Sequence, residues 1–545
     1  MKKISFLLIF ILCFAVISPL TACSKDEKLV LNVYNCEEYI AEGEDFDMVS
    51  EFEKYYFNKY GKKVTVNYST YGTNENMYNE LKLTKNKKDN TYSYDLVCPS
   101  DYMLLKMIKE DMLEEFDLNE DGSYKYIPEY ENNVSDYIKN LFKQNDWYRY
   151  GVCYMWGTMG YVYNPEKVSH DDMKSWKGIL NPAYKFKSTI KDSARDSYIL
   201  AQGIAFEDEL KALDKTSADY NKNLSKIFND TSKETLKKSE DVLRKVKESV
   251  YGFEVDSGKS DMASGKIWIN FAWSGDAVYT LDEAEKYGTE LYYSVPEEGS
   301  NVWFDGWVMP KGANKALAQE FLDFLNTPEN VIENMNYIGY TSAIAGDTLF
   351  DNAKDWYGLY VLVESSDGDL EFNGKTYSEE YFGDLDEATL NSFKNADGTY
   401  NLNIPEYNDD DEVISFSEET IEVYSHDVSY FFSNISEENK SEGKSIIYTD
   451  TIDRQLSTQY PDGETVERCI IMDYFTKEQN NDLNNMWSSV KIGYMSPVAM
   501  IIIVVVVVLL IAGYIVIDKL IKSGKFGYGK TRKNLKLISR TEIKK

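Results

Sequence analysis

Residues able to do covalent or metal chemistry are few in this sequence and poorly placed for it. Only two histidines occur in 545 residues, His170 and His426, and neither has another candidate ligand near it in sequence. A histidine-dependent triad or a zinc site needs such partners or a spacing like CxxC. Cys36, Cys98, Cys153 and Cys469 offer no such spacing, and they are open to three disulfide pairings or to four free thiols. Asp117-Leu118-Asn119-Glu120-Asp121-Gly122 begins like a calcium loop, but its twelfth position is Pro128 and Glu129 comes one place late. The bidentate glutamate is out of register, so a plain turn is expected there. No catalytic residue, metal or cofactor is expected, and the chain reads as a binder rather than an enzyme.

What the sequence does hold in excess is acid and aromatic rings. It carries 91 Asp and Glu against 59 Lys and Arg, with 44 Tyr, 25 Phe and 9 Trp. Setting aside Lys2, Lys3 and the basic stretch 518–545 leaves 47 basic and 89 acidic residues, a net charge of about −42. Such a field repels nucleic acid and anionic lipid and concentrates cations. The aromatic content is too high for a disordered acidic chain.

The elements that must position a binding site follow from periodicity. Residues 29–34 and 63–68 have strand patterns, as does 94–98, and helical spacing is expected over 46–60 and 76–82. Strands and helices alternating at these lengths predict a parallel α/β sheet, with ligand binding outside the carboxyl ends of the strands. That directs attention to 35–39, 69–71 and 99–102. A second α/β unit begins after Trp147, with strands expected over 152–163, 266–273 and 302–310 and helices over 231–250 and 315–325. Repeated crossing between two such units predicts a cleft between them. Residues 348–456 hold 26 Asp or Glu against 6 Lys or Arg, with turn signals at Asp367-Gly368, Asn373-Gly374 and Asp397-Gly398. This stretch is expected to be an inserted acidic subdomain, partly β.

Both ends carry membrane signals. Lys2 and Lys3, the apolar run 4–20 and Leu20-Thr21-Ala22-Cys23 form a lipoprotein signal peptide over 1–22, with Cys23 the lipidated mature residue. Residues 497–517 lack any charge and are long enough for a transmembrane helix. The following 518–545 contain ten Lys or Arg against Asp518 and Glu542, which places that tail in the cytoplasm and the large domain outside.

A specific pattern runs through the domain. It includes Tyr34-Asn35-Cys36-Glu37-Glu38-Tyr39, Tyr68-Ser69-Thr70-Tyr71, Pro99-Ser100-Asp101-Tyr102 and Trp156-Gly157-Thr158. It continues through Ala194-Arg195-Asp196, Ala272-Trp273-Ser274-Gly275, Trp303-Phe304-Asp305 and Ile338-Gly339-Tyr340, then Tyr460-Pro461-Asp462-Gly463. In this order and spacing the chain resembles the spermidine/putrescine-binding proteins of bacterial ABC importers, over 29–344 and 460–491. The resemblance implies a two-lobed periplasmic-binding-protein fold, with an N-lobe of 29–153 and 304–342 and a C-lobe of 154–303 and 457–491. It implies a polyamine ligand, membrane permease subunits as partners, and no enzymatic activity.

Ligand-contacting positions implied by the resemblance are Tyr39, Ser100, Tyr102, Asp196, Trp273, Trp303, Asp305 and Tyr340. Their types suit a methylene chain bearing protonated nitrogens: rings cover the methylenes and attract the cations, and carboxylates pair with the ammonium groups. Cys36 stands where the family has a cleft tryptophan and Glu37 where it has a small hydroxyl residue, so one aromatic wall is lost and one carboxylate gained. Ser193 stands at a position often occupied by a carboxylate, next to Asp192. Two other readings stay open: a binding protein for another small solute, and a surface adhesion or sensing protein built on the same fold.

Overall fold

The computed structural model describes residues 29–408, 411–450, 454–492 and a few residues between 509 and 520. The signal segment, Cys23, most of 497–517 and most of the basic tail lie outside the described residues. Among the described residues no helix is long and apolar enough to cross a membrane. The chain divides into two compact units, Met1–Glu478 and Gln479–Lys545.

Its first strands are the ones the alternation predicts. β1 (Leu29–Cys36) pairs in parallel with β2 (Val64–Tyr71) and with β3 (Leu96–Val97). The helix Met48–Tyr60 links β1 to β2, capped by the Asp47 carboxylate at its start and by Gly61 at φ 66° at its end. Asn74–Thr84, capped by Thr73, follows β2. The expected strand 94–98 contracts to Leu96–Val97, directly after Asp95. Its carboxylate accepts the Asn32 N–H at 2.7 Å and the Asn314 N–H at 2.8 Å.

Two long antiparallel strands then join the sheet. β4 (Gly151–Tyr163) is buried along its whole length, and it pairs with β9 (Ser300–Val308). Their register shifts between Cys153 and Trp156, opposite the segment Phe304–Gly306 that carries Asp305. Beyond β4 lie β7 (Ile269–Trp273), β5 (Ser188–Lys191) and β6 (Gly252–Glu254), the last two parallel to each other. The short strands β8 (Tyr292–Ser294) and β10 (Thr341–Ser342) also pair with β4. The sheet is therefore mixed, parallel at both flanks and antiparallel at the centre. The strand expected over 266–273 starts only at Ile269, and the helix expected over 231–250 spans Lys233–Ser249.

Residues 360–449 build three small antiparallel sheets apart from the main one: Tyr360–Glu364 with Lys375–Tyr381 and Leu370–Phe372, Tyr400–Tyr407 with Val413–Ile421, and Tyr424–Asp427 with Ile446–Thr449. Asn373 and Gly374, at φ 51° and 78°, make the tight hairpin that their dipeptide predicts. This part is seated by aromatic packing. Phe431 stacks 5.3 Å from Trp156 and contacts Tyr460, and the Ser135 hydroxyl donates to the Phe431 carbonyl at 2.7 Å. At the calcium-like loop the structure has a turn, closed by a Leu118–Tyr124 bridge and by Ser123 donating to Asp121. Among the described residues no group of acidic, His and Cys side chains could hold a metal.

Candidate functional site

The residues of interest sit just past the carboxyl ends of β1, β3, β5 and β7, and at the register shift of β9. This is where a parallel α/β sheet leaves backbone and side chains free to meet a ligand.

Asp305 is the hub. It forms a bridge with Ser100, the residue that leads into the helix Asp101–Lys109. Tyr39 Oη donates to Asp305 Oδ2 at 2.7 Å across a sequence separation of 266 residues. The other oxygen, Oδ1, is buried without a hydrogen-bond partner. Burial pushes the Asp305 carboxyl up to about 6, with the hydroxyls of Ser100 and Tyr39 pulling the other way. Ser100 is itself held on both sides by Asn74, whose amide donates to Ser100 Oγ at 2.9 Å and accepts the Ser100 N–H at 3.0 Å.

Aromatic rings wall this carboxylate. Tyr39 meets Tyr340 edge-on at 5.0 Å, and Tyr340 meets Trp303 edge-on at 5.8 Å. Trp303 is almost fully covered and donates its indole N–H to the Thr158 carbonyl at 3.2 Å. Tyr340 fits there because Gly275 has no side chain: a Cβ would lie 2.4 Å from the Tyr340 ring. Gly157 makes room for Trp303 in the same manner, with a Cβ falling 2.7 Å from the indole. Cys36 adjoins the group, and burial together with the Asp305 charge pushes its thiol up to about 12.

Tyr102 and Asp196 come together at a second edge, around Arg195. The Arg195 guanidinium lies 4.8 Å over the Tyr102 ring, and Tyr102 Oη donates to Glu75 at 3.2 Å. The Ser193 hydroxyl caps the helix Ala194–Ala205 by accepting the Asp196 N–H at 3.3 Å. A position often occupied by a carboxylate in the family it resembles thus serves here as a helix cap. Burial pushes Asp196 up to about 6, against the Ser193 hydroxyl and the Lys191 and Arg195 charges. Glu37 is exposed, and its backbone N–H donates to Tyr71 O at 3.2 Å. It follows Cys36 directly, and its charge acts on the Cys36 thiol.

Three groups that the motif reading passed over belong to the same neighbourhood. Asp101 is buried, accepts the Tyr102 N–H at 2.5 Å and the Phe304 N–H at 3.3 Å, and is pushed by burial up to about 8. Lys191 ends β5, and its ammonium donates to Asp276 Oδ2 at 2.9 Å while lying 4.2 Å over the Trp273 ring. Asp276 accepts the Tyr340 hydroxyl on its other oxygen at 2.8 Å. Burial raises the Asp276 carboxyl, but the Lys191 and Lys259 charges overcome that and hold it below the usual range. The available signal for Lys191 was a charged residue closing the otherwise buried strand Ser188–Lys191.

The four cysteines that the sequence left open between pairing and free thiols are all free.

Known proteins share both pattern and fold. The chain is 27% identical over 322 residues to a spermidine/putrescine-binding periplasmic protein of Escherichia coli, covering 59% of this chain and 79% of that protein. It is 29% identical over 329 residues to a putrescine-binding periplasmic protein of Pseudomonas aeruginosa, covering 58% and 79%. A solved structure from Listeria monocytogenes, assigned to a spermidine/putrescine ABC transporter, superposes with a TM-score of 0.52 at 21% identity, over 85% of this chain and 98% of that one. At that identity the match speaks for the mixed α/β binding-protein fold. The model of the bacterial extracellular solute-binding proteins matches residues 47–356, more than half of the sequence. This family binds and hands on solutes and does not catalyse reactions on them, and the chain belongs to it.

Proposed function

We propose that this protein is the solute-capturing component of an ABC importer and that its ligand is a polyamine, spermidine or putrescine. The observation that carries the reading is the buried, unpartnered Oδ1 of Asp305 among the rings of Tyr39, Tyr340 and Trp303. A buried acceptor without a donor costs about 1–3 kcal/mol. A ligand ammonium would end that penalty, and the surrounding ring faces would add roughly 0.5–2 kcal/mol for each cation contact. The polyamine-binding names of the relatives support the same class of ligand.

In this reading an N-lobe (29–153, 304–342) and a C-lobe (154–303, 457–491) close over the ligand. The acidic part 348–456 stands as an insertion between them. A lipid on Cys23 and a helix at 497–517 hold the domain beside its permease. The test is a thermal-shift titration of the full chain with putrescine and spermidine, since a ligand that binds the folded state alone raises its stability as concentration passes Kd. An upward shift with either amine is expected. No shift at concentrations far above micromolar sinks the proposal.

A further inference from the structure

Lys191 is 2% exposed at its side chain, yet it faces three oxygen acceptors: Asp276 Oδ2 at 2.9 Å, Glu254 Oε1 at 3.4 Å and the Val255 carbonyl at 2.8 Å. Two of these contacts are hydrogen bonds, to Asp276 and to the Val255 carbonyl, and Glu254 adds an ion pair, so the ammonium is held by the chain itself. It also covers the Trp273 ring at 4.2 Å. Its charge reaches as far as Asp196.

A continuous line of contacts connects it to the open carboxylate. Lys191 bonds Asp276, Asp276 accepts from Tyr340, Tyr340 packs on Tyr39, and Tyr39 donates to Asp305. Of the nearby carboxylates, Asp276 and Glu254 share Lys191, with Lys259 also 3.8 Å from Asp276, and Asp101 is occupied by two backbone N–H groups. Among the residues that the motif pattern marks, Asp305 and Asp196 are the two carboxylates left for ligand ammonium groups, while Glu75 already accepts the Tyr102 hydroxyl.

We propose that Lys191 is a resident cation that sets ligand preference, standing where a third ligand ammonium would otherwise pair with Asp276 over Trp273. The site then favours a short diamine over a longer triamine. The inference rests on the polyamine reading above. A third ammonium meets a fixed like charge in a place where water cannot screen it, and such repulsion is strongest when buried.

The experiment is isothermal titration of the full chain with putrescine and with spermidine, for wild type, Lys191→Met and Lys191→Met/Asp276→Asn. Wild type is expected to bind putrescine about tenfold or more tightly than spermidine. In Lys191→Met the buried Glu254 loses its cation and Asp276 keeps only Lys259 at 3.8 Å, so the third ammonium is drawn there and the ratio shifts toward spermidine by about tenfold or more. The double variant removes the repulsion without leaving a bare carboxylate at 276. It is expected to shift the ratio the same way by a smaller amount, and it keeps the test valid if Lys191→Met fails to fold. Wild type binding spermidine as tightly as putrescine, or variants that leave the ratio unchanged, would overturn the role of Lys191 alone. Absence of binding by either amine would overturn the proposed function and this inference together.

Discussion

Replacing Asp305 with asparagine separates what the carboxylate does for binding from what it costs the fold. Asparagine keeps the shape and can still accept the Tyr39 hydroxyl, now made at 2.7 Å, but it presents no charge to a ligand ammonium. Hydrogen bonds to charged groups contribute about 1.5–3 kcal/mol, and losing one partner of a buried charged pair costs about 2–5 kcal/mol. Since the amide preserves part of the contact, a loss of roughly 2–3 kcal/mol is expected, or about 30- to 150-fold in Kd.

Without ligand the sign reverses. Burial raises the Asp305 carboxyl from its ordinary 3.8 to about 6. The folded chain therefore binds more protons than the unfolded chain between those values. The ionised form burdens the fold above about 6, and the burden is relieved as pH falls through 6 toward 4. That rise corresponds to at most about 3 kcal/mol. Asp305→Asn should therefore be more stable than wild type near neutral pH, and the difference should shrink toward about pH 4. Urea unfolding of the ligand-free proteins at both pH values measures the second effect, and calorimetric titration with putrescine near neutral pH measures the first. Wild-type affinity should also fall as pH drops below about 6, less steeply in the variant, where Asp196, likewise raised to about 6, still titrates. A variant that binds within about threefold of wild type, or that is less stable than wild type near neutral pH, would refute the reasoning.

Gly275→Ala should weaken amine binding by about tenfold or more while circular dichroism stays native, because its Cβ would lie 2.4 Å from the Tyr340 ring and strain of this kind costs roughly 1–3 kcal/mol; unchanged affinity in titration would refute the seating role given to Gly275. At mildly alkaline pH the native chain should give almost no reaction with Ellman's reagent from Cys36, Cys98, Cys153 and Cys469. Burial pushes the thiols of Cys36 and Cys469 up to about 12 and the other two well above their usual value, so the thiol count should rise by four in guanidinium; fast native labelling would contradict the burial.

Much of this frame was legible in the sequence because it rests on local periodicity. The parallel start of the sheet and the helices after β1 and β2 follow from apolar periodicity, and the length of β4 from an unbroken β-rich aromatic run. Long-range pairing was legible only through motif resemblance. Nothing in the spacing of Tyr39 and Asp305 announces their hydrogen bond, which the crossing of β9 beside β3 creates. Glu37 shows how residue type and position part company. Its type fits a cation site, but the turn after Cys36 leaves it at the surface, and its chain neighbour Glu38 at φ 52° lies 3.8 Å from Lys259. Lys191 escaped notice because a lone lysine at a strand end usually reaches solvent. Only the meeting of β5, β6 and the helix Ser274–Glu285 supplies the anions that keep it inside.

The free state of Cys36, Cys98, Cys153 and Cys469 has a consequence for how the domain matures. Nothing covalent ties these segments together, so no oxidant, isomerase or particular redox compartment is needed to complete the fold. Its native state is reached by packing alone, through contacts such as Trp156 on Phe431 and Phe52 on Phe321. The domain can therefore be produced in a reducing cytoplasm and handled in dithiothreitol without loss of structure.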